Sequence, residues 1–446
     1  MDSTGDSEKQ PYQRLLPPHD PPLRVIIVGA GLGGCAAAVA MHHHGHEVVA
    51  VLDKVRSFNR LGDSLGLGEN AYKLLARWGC NITEIQSIGN QAPTMKIRRW
   101  HDGKVLAEQP LMDMAGYIGH RGDYHDIFLK WVRERGIPIR MGCDVVAYAD
   151  SDPCPSLTLA SGETLAADVI VACDGIKSLA RHLVLGARDD PVSSGYACFR
   201  AYFKPSDEMR ADPARNALLG EDSVNFWIGP DTHVVQNTLR GGREFNWILT
   251  HKDDGDVPES WFQPGNMDEV RRLVSDVDPA IREAIKSTEK CLDWKICYRK
   301  PLPTWVSPRS HRIALLGDSC HAHLPTSAQG ASQAVESAGV LAVCLSLVGR
   351  RDEVKVATRA YEKLRFPRTR VSQTHGEDLR DRWHNVLKNV DGIVEIDPEM
   401  VKIKNRPLYA FDAEQDAREK WQQVSQVVRA EFSNGRIEPL IEATGV

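Results

Sequence analysis

The sequence predicts an α/β protein: a parallel, Rossmann-like sheet begins, is interrupted by an antiparallel β-sheet, and is then completed ahead of C-terminal helices. Three observations carry this reading. The chain opens on a strand, a glycine-rich turn and a helix of small residues, LRVIIVGAGLGGCAAAVAMHHHG. Two later apolar runs, DVIVACDG and IALLGD, end in an acidic residue beside a glycine, as buried parallel strands do next to a ligand. Between them, from about 190 to 305, the texture turns to aromatic, alternating segments separated by Gly229-Pro230 and Gly241-Gly242 turns.

Each element follows in order. Residues 1–22 are polar and proline-rich with no apolar stretch of the signal-peptide kind, and are expected to be a flexible tail. LRVIIVGA, the small-residue helix and HEVVAVLDK make a βαβ unit of about 30 residues, the length a parallel crossover needs. Residues 68–79 read as a helix stopped at Gly79, and 121–135 as one ended by Gly136. Strands are expected near 143–148, near 156–160 and, buried, at 168–173. YACFRAYF, SVNFWIG, HVVQNTLR and FNWILTH build the antiparallel layer, and WFQPGNMDEVRRLVSDVDPAIREAI adds one or two helices. Ile313 to Leu316 return to the first sheet, and a helix is entered through Ala328-Gln329-Gly330. From about 355 to 433 the pattern is helical and charged; its amphipathic part, 410–433, packs against the body or against a homodimer partner.

Composition bounds the function. The chain has 446 residues, 42% of them hydrophobic, and a net charge of −5, which suits a globular enzyme and favours neither nucleic acid nor an anionic membrane surface. No run of about 18 apolar residues occurs, so no membrane span is expected. The ten cysteines form no CxxC pair, and several, such as Cys173 and Cys344, sit inside apolar runs, as in a reducing, cytoplasmic compartment. No metal is expected. His321 and His323 lack a carboxylate or cysteine partner at suitable spacing, and His42-His43-His44 suit a helix C-terminus.

Gly29, Gly31 and Gly34 fit G-x-G-x-x-G between a strand and a helix. The first glycine allows the tight turn, the second lets a diphosphate approach the backbone, and the third lets helix and strand pack closely. Asp53 ends the second strand, where an acceptor for a ribose hydroxyl belongs. Together with Asp174-Gly175 and Gly317-Asp318, this fingerprint resembles the three motifs of the class A flavoprotein monooxygenases, the aromatic hydroxylases, over roughly residues 24–370. The nearest subgroup is the salicylate-hydroxylase-like enzymes, including fungal ones of secondary metabolism.

The resemblance implies one FAD and no separate NADPH domain. FAD is reduced by NADPH or NADH, molecular oxygen gives a flavin C4a-hydroperoxide, and an aromatic, phenolic small molecule is hydroxylated. It further implies that Asp318 accepts from the FAD ribityl chain, that Gly330 and Ala331 present N–H groups to the flavin ring, and that Arg121 and the Asp174-Gly175 motif, with Arg181, contact the cofactor. Pro325 is expected near the reacting flavin carbon. A helix N-terminus at Gly330 also suits an anionic reduced flavin on electrostatic grounds.

Arg200, in the otherwise apolar YACFRAYF, either holds the phenolate or lies on a solvent face. His233 either serves as the base, since an imidazole near pKa 6.5 suits phenol deprotonation, or is a turn histidine. The chain departs from the pattern of the family it resembles at Ala322, where relatives usually have proline, and at Asn237-Thr238, where a Tyr-Pro pair is often seen. The implied division is FAD-binding over 23–90, 119–188 and 308–370, substrate-binding over 91–118 and 189–307, and helical over 371–446. Epoxidation, Baeyer–Villiger insertion or oxidative decarboxylation by the same flavin chemistry, and a non-catalytic flavin- or nucleotide-binding role, stay open.

Overall fold

The computed structural model describes residues 22–58, 63–114, 116–253, 263–388 and 395–441, so nearly all of the expected N-terminal tail lies outside the described residues. Five strands make a wholly parallel sheet in the order Ile313–Leu315, Val169–Ala172, Arg24–Val28, Glu47–Asp53, Ile139–Met141. Val169–Ala172 is buried throughout, as a strand covered on both faces must be. Its neighbour Ile313–Leu315 arrives from far along the chain, after the whole antiparallel layer has intervened. The alanines of the helix Leu32–His43 let it lie close to the sheet on one side and to the helix Gly330–Leu347 on the other, in one continuous core. Gly330–Leu347 is the one helix among the described residues long and apolar enough to cross a membrane, with mean hydropathy 1.3, and it lies mostly inside this core.

The antiparallel layer is a seven-stranded sheet in the order Leu292–Tyr298, Val192–Phe203, Glu244–Lys252, Thr232–Leu239, Ser223–Gly229, Thr94–Arg99, Val105–Pro110. Only Ser223–Gly229 and Thr94–Arg99 pair in parallel. The two-residue period sorts its side chains. Phe199, Trp227, Val234, Phe245, Trp247 and Leu249 pack against the helices Met267–Leu273 and Pro279–Lys286. On the opposite, inner face Val224, Phe226 and Ile228 pack against Leu379 and Trp383 of the helix Val354–Asn385.

Smaller parts complete the frame. Val145–Ala149, Ser156–Leu159 and an unexpected third strand, Thr164–Ala166, form an antiparallel sheet. Ser64–Leu67 pairs with Tyr117–His120. The helical stretch expected from 355 to 433 is two long helices, Val354–Asn385 and Ala413–Asn434, with only short turns described between them. Pro398 and Pro407 open those turns, where a missing N–H costs nothing. Ala413–Asn434 places Ala413, Ala417 and Val428 in the core of its own chain. All ten cysteines are free thiols.

Candidate functional site

The glycine turn is a backbone construction. Gly29 sits at φ +99°, a left-handed value that costs glycine little, and a Cβ there would lie 2.3 Å from the Cys173 carbonyl oxygen on the adjoining strand. A Cβ on Gly34 would lie 1.8 Å from the Gly29 carbonyl oxygen. Gly31 differs: a Cβ there would meet nothing within 4 Å, so its backbone opens into a cleft. The helix that starts at Leu32 has no side-chain cap, so its first N–H groups face the same opening and suit an anion. Asp53 is partly engaged: its carboxylate accepts from the Ala30 N–H at 2.8 Å and the Val55 N–H at 3.0 Å. His125, which has no local signal in the sequence, donates through Nε2 to the Ala30 carbonyl at 2.7 Å and fixes the turn from the other side.

Two acids border this cleft. Asp174 accepts from the Leu179 N–H at 3.1 Å through one oxygen, while the other is buried with no donor. Burial pushes its carboxyl above the usual range. Asp318 is exposed, yet desolvation raises its carboxyl as well, opposed by the positive charge of Arg121. A side chain that is open to solvent and still desolvated belongs on the wall of a deep cleft. Arg121 stands between two groups: its charge acts on Asp318 and on Arg200 alike, and its backbone N–H donates to the Asp63 carbonyl at 2.9 Å. Arg181 is buried and ties three segments together, donating to Asp189 at 2.6 Å, the Ser319 carbonyl at 3.0 Å and the Lys300 carbonyl at 3.1 Å.

The backbone turns at Gly317, φ +71°, just before Asp318, and at Ala328, φ +50°, at the end of the loop that follows. Pro325 is exposed and starts a short 3-10 turn, Pro325–Ser327. Gly330 and Ala331 then begin an 18-residue helix that no side chain caps. His321 meets Ser337 Oγ at 2.9 Å, and burial holds its imidazole neutral. Burial likewise lowers His323 to about 4. Beneath the helix start lies a buried polar group that sequence reasoning missed: Glu336 accepts from Arg365 at 2.6 Å, Arg368 at 3.0 Å and Asn70 at 2.5 Å. Beside the loop, Ala322 and Leu324 share a cavity of about 230 Å³ with Lys300, Arg370 and Gln373.

Facing this loop region is the inner side of the seven-stranded sheet. Arg200 is 3% exposed, which excludes the solvent-face alternative. It donates to Asp63 at 2.7 Å and lies over the ring of Trp294. Burial pulls its guanidinium down, and Asp63 opposes that. His233 is also buried: Nδ1 lies 2.8 Å from His384 Nε2, and Nε2 lies 3.1 Å from Thr250 Oγ1. Burial, then the neighbouring His384, hold it well below the ordinary histidine range, so it is neutral at pH 7. Asp63, Trp294 and His384 are far from Arg200 and His233 in the chain, and only the fold brings them there.

Together these groups suit one elongated ligand with a diphosphate at the glycine turn, hydroxyl donors toward Asp174 and Asp318, and an electron-rich ring end at Gly330-Ala331. The FAD binding domain family matches residues 22–373. Asperlicin C monooxygenase of Petromyces alliaceus is 31% identical over 387 residues, covering 83% of this chain and 82% of that one. Further fungal relatives carry the name FAD-dependent monooxygenase. Among solved structures, CtdE in complex with FAD and its substrate 4 has a TM-score of 0.82 and 29% identity over 91% of this chain and all of that one. A salicylate hydroxylase substrate complex, at 24% identity over 89% of this chain and 97% of that one, shares the fold with a TM-score of 0.75.

Proposed function

This chain belongs to the FAD binding domain family and is an FAD-dependent monooxygenase, and on that premise we propose that it hydroxylates an aromatic, phenolic small molecule with electrons from NADPH or NADH. Gly29, Gly31 and Gly34 cradle the cofactor's diphosphate, Asp53 accepts from a ribose hydroxyl, and Asp174, Asp318 and Arg121 line its path. The Asp174 oxygen that lacks a donor is where a cofactor hydroxyl belongs. Gly330 and Ala331 turn N–H groups toward the flavin ring. When bound and reduced, the flavin activates molecular oxygen for insertion of one oxygen atom. The chain's own task is to hold the ring, manage its proton and keep water out.

The observation that carries the reading is Arg200: a buried cation on the inner face of the sheet, held by Asp63 and electrostatically close to the cofactor arginine Arg121. Arg200 holds the phenolate, His233 receives the phenol proton as a neutral imidazole, and Pro325 shapes the loop at the reacting flavin edge. Segments 23–90, 119–188 and 308–370 form the cofactor domain, and 91–118 and 189–307 the substrate wall. Lys300 and Arg370 give the cavity beside Ala322 the positive groups a nicotinamide coenzyme needs.

The test is purification with FAD, followed by NADPH and NADH oxidation across a panel of phenols. Substrate-stimulated oxidation with a product heavier by one oxygen supports the proposal. A colourless protein that takes up no FAD, or reductant consumption yielding only peroxide with every phenol, counts against it. A second reading replaces phenol hydroxylation with oxygen insertion into an electron-rich ring that needs no deprotonation. It is favoured by the engagement of both nitrogens of His233. Unchanged kcat/KM and pH profile in His233→Gln select this second reading.

A further inference from the structure

The inner face carries two carboxamides that the proposed reaction does not use. Asn237 and Asn246 lie directly opposite each other on neighbouring strands, with Tyr202 next in the same row. Arg200, Ile248 and Val235 form the adjoining row on the same face, two residues along each strand and so about 7 Å away. Both asparagines are buried, at 1% and 0% exposure. Both donate through Nδ2 to one oxygen, Ser64 Oγ, at 2.7 and 3.2 Å. Ser64 follows Asp63, the partner of Arg200, so the carboxamides and the cation belong to one constellation.

The side-chain oxygens of Asn237 and Asn246 are both buried without a donor. Turning the amides does not remove the deficit. Ser64 has a single hydroxyl proton, so it can satisfy at most one of the two oxygens in any orientation. At least one buried carbonyl oxygen therefore lacks a donor, a condition native proteins rarely leave uncompensated.

We propose that Asn237 and Asn246 select the substrate by accepting a hydrogen bond from a neutral ring N–H, as a lactam or pyrrole-type nitrogen presents. The ring itself lies on the apolar row of Ile248 and Val235. A carboxylated phenol is disfavoured, because its carboxylate meets carbonyl oxygens on this row, and Arg200, shared between Asp63 and the ring oxygen, is not left over to pair with a second anion. A site built to receive a hydrogen bond discriminates strongly against an analogue that lacks the donor. The inference rests on reading this face as the substrate wall.

The experiment titrates the FAD-loaded enzyme with 2-quinolone, its N-methyl analogue and salicylate, following the flavin absorbance change. The expected result is a Kd for 2-quinolone at least tenfold below those of the other two. Asn237→Leu and Asn246→Leu are expected to bring the ratio of 2-quinolone to N-methyl analogue close to one while FAD content is retained. Equal affinity for the N-methylated ring, tighter binding of salicylate, no binding of 2-quinolone at millimolar concentration, or a holoenzyme crystal structure in which an ordered water serves both carbonyl oxygens with 2-quinolone bound elsewhere overturns the proposal. The wild-type comparison stands even where a leucine variant fails to fold. Loss of FAD or of reductant oxidation would instead count against the monooxygenase reading and leave this preference to be judged by binding alone.

Discussion

The cleft at the glycine turn and the sheet wall facing it are made of different materials. The cleft is chiefly backbone: Gly29 and Gly34 let the turn pack against Cys173 and the start of the helix, and Gly31 leaves its backbone open to a ligand because nothing hangs from its Cα. The wall is side chain: Arg200, Asp63, Trp294, His233 and the two asparagines determine its chemistry, and the strands only set their spacing. Backbone recognition needs particular glycines and tolerates little else. Side-chain recognition leaves the strand intact when a residue changes, so one scaffold can serve different substrates.

The comparison breaks most sharply at Gly34. Gly34→Ala puts a Cβ 1.8 Å from the Gly29 carbonyl oxygen. A loss of more than about 3 kcal/mol in stability is expected, with FAD lost during purification. Thermal melting and the flavin-to-protein absorbance ratio check this, and a yellow variant of normal stability would show that the turn is not close-packed.

On the wall, Arg200→Ala is expected to keep FAD content within about twofold while lowering substrate-stimulated turnover roughly 100-fold, because Arg200 is the cation proposed to hold the phenolate. Normal turnover refutes its role. Asp318→Ala takes a side chain from the backbone-built cleft. A rise in FAD Kd of roughly 10- to 100-fold is expected, the worth of a hydrogen bond to a charged group, measured by flavin fluorescence on reloading the apoprotein.

Glu414 supplies a control outside both regions. Burial alone would raise its carboxyl, but His44 at 2.8 Å, Arg77 at 2.9 Å and Trp78 at 2.7 Å outweigh that and hold it down at about 2. A depressed folded-state pKa stabilises above the unfolded value near 4.5, and that stability drains away as pH falls toward 2. Glu414→Gln is expected to cost on the order of 3 kcal/mol at pH 7 and to flatten the acid limb of a denaturation profile. Turnover per bound FAD is expected to stay unchanged, and a change there would mean that the C-terminal helix reaches the site.

Legibility in the sequence followed the same line. The βαβ opening, the helices at Glu69–Arg77 and Arg121–Glu134 and the return strand Ile313–Leu315 were readable because local pattern and glycine placement determine them. The wall was readable only in part. Arg200 stood out as a charge among aromatics, but its partner Asp63 comes from another element, and His384 reaches His233 from a helix 151 residues on. Ser64, where the two asparagines converge, lies beside no recognisable motif. Contacts of such sequence separation leave no periodic trace.

The late arrival of Ile313–Leu315 has a consequence for how the molecule is made. During synthesis Val169–Ala172 emerges with one edge unpaired, and it keeps that edge until the entire seven-stranded sheet and its helices have been translated. An open, fully apolar strand is a sticky template for other chains. The nascent protein must therefore either fold the inserted layer quickly or be shielded while it waits. Asp318 and the Gly330 helix end arrive only after that strand, so the cofactor site proposed here is whole only once the last strand has closed the sheet.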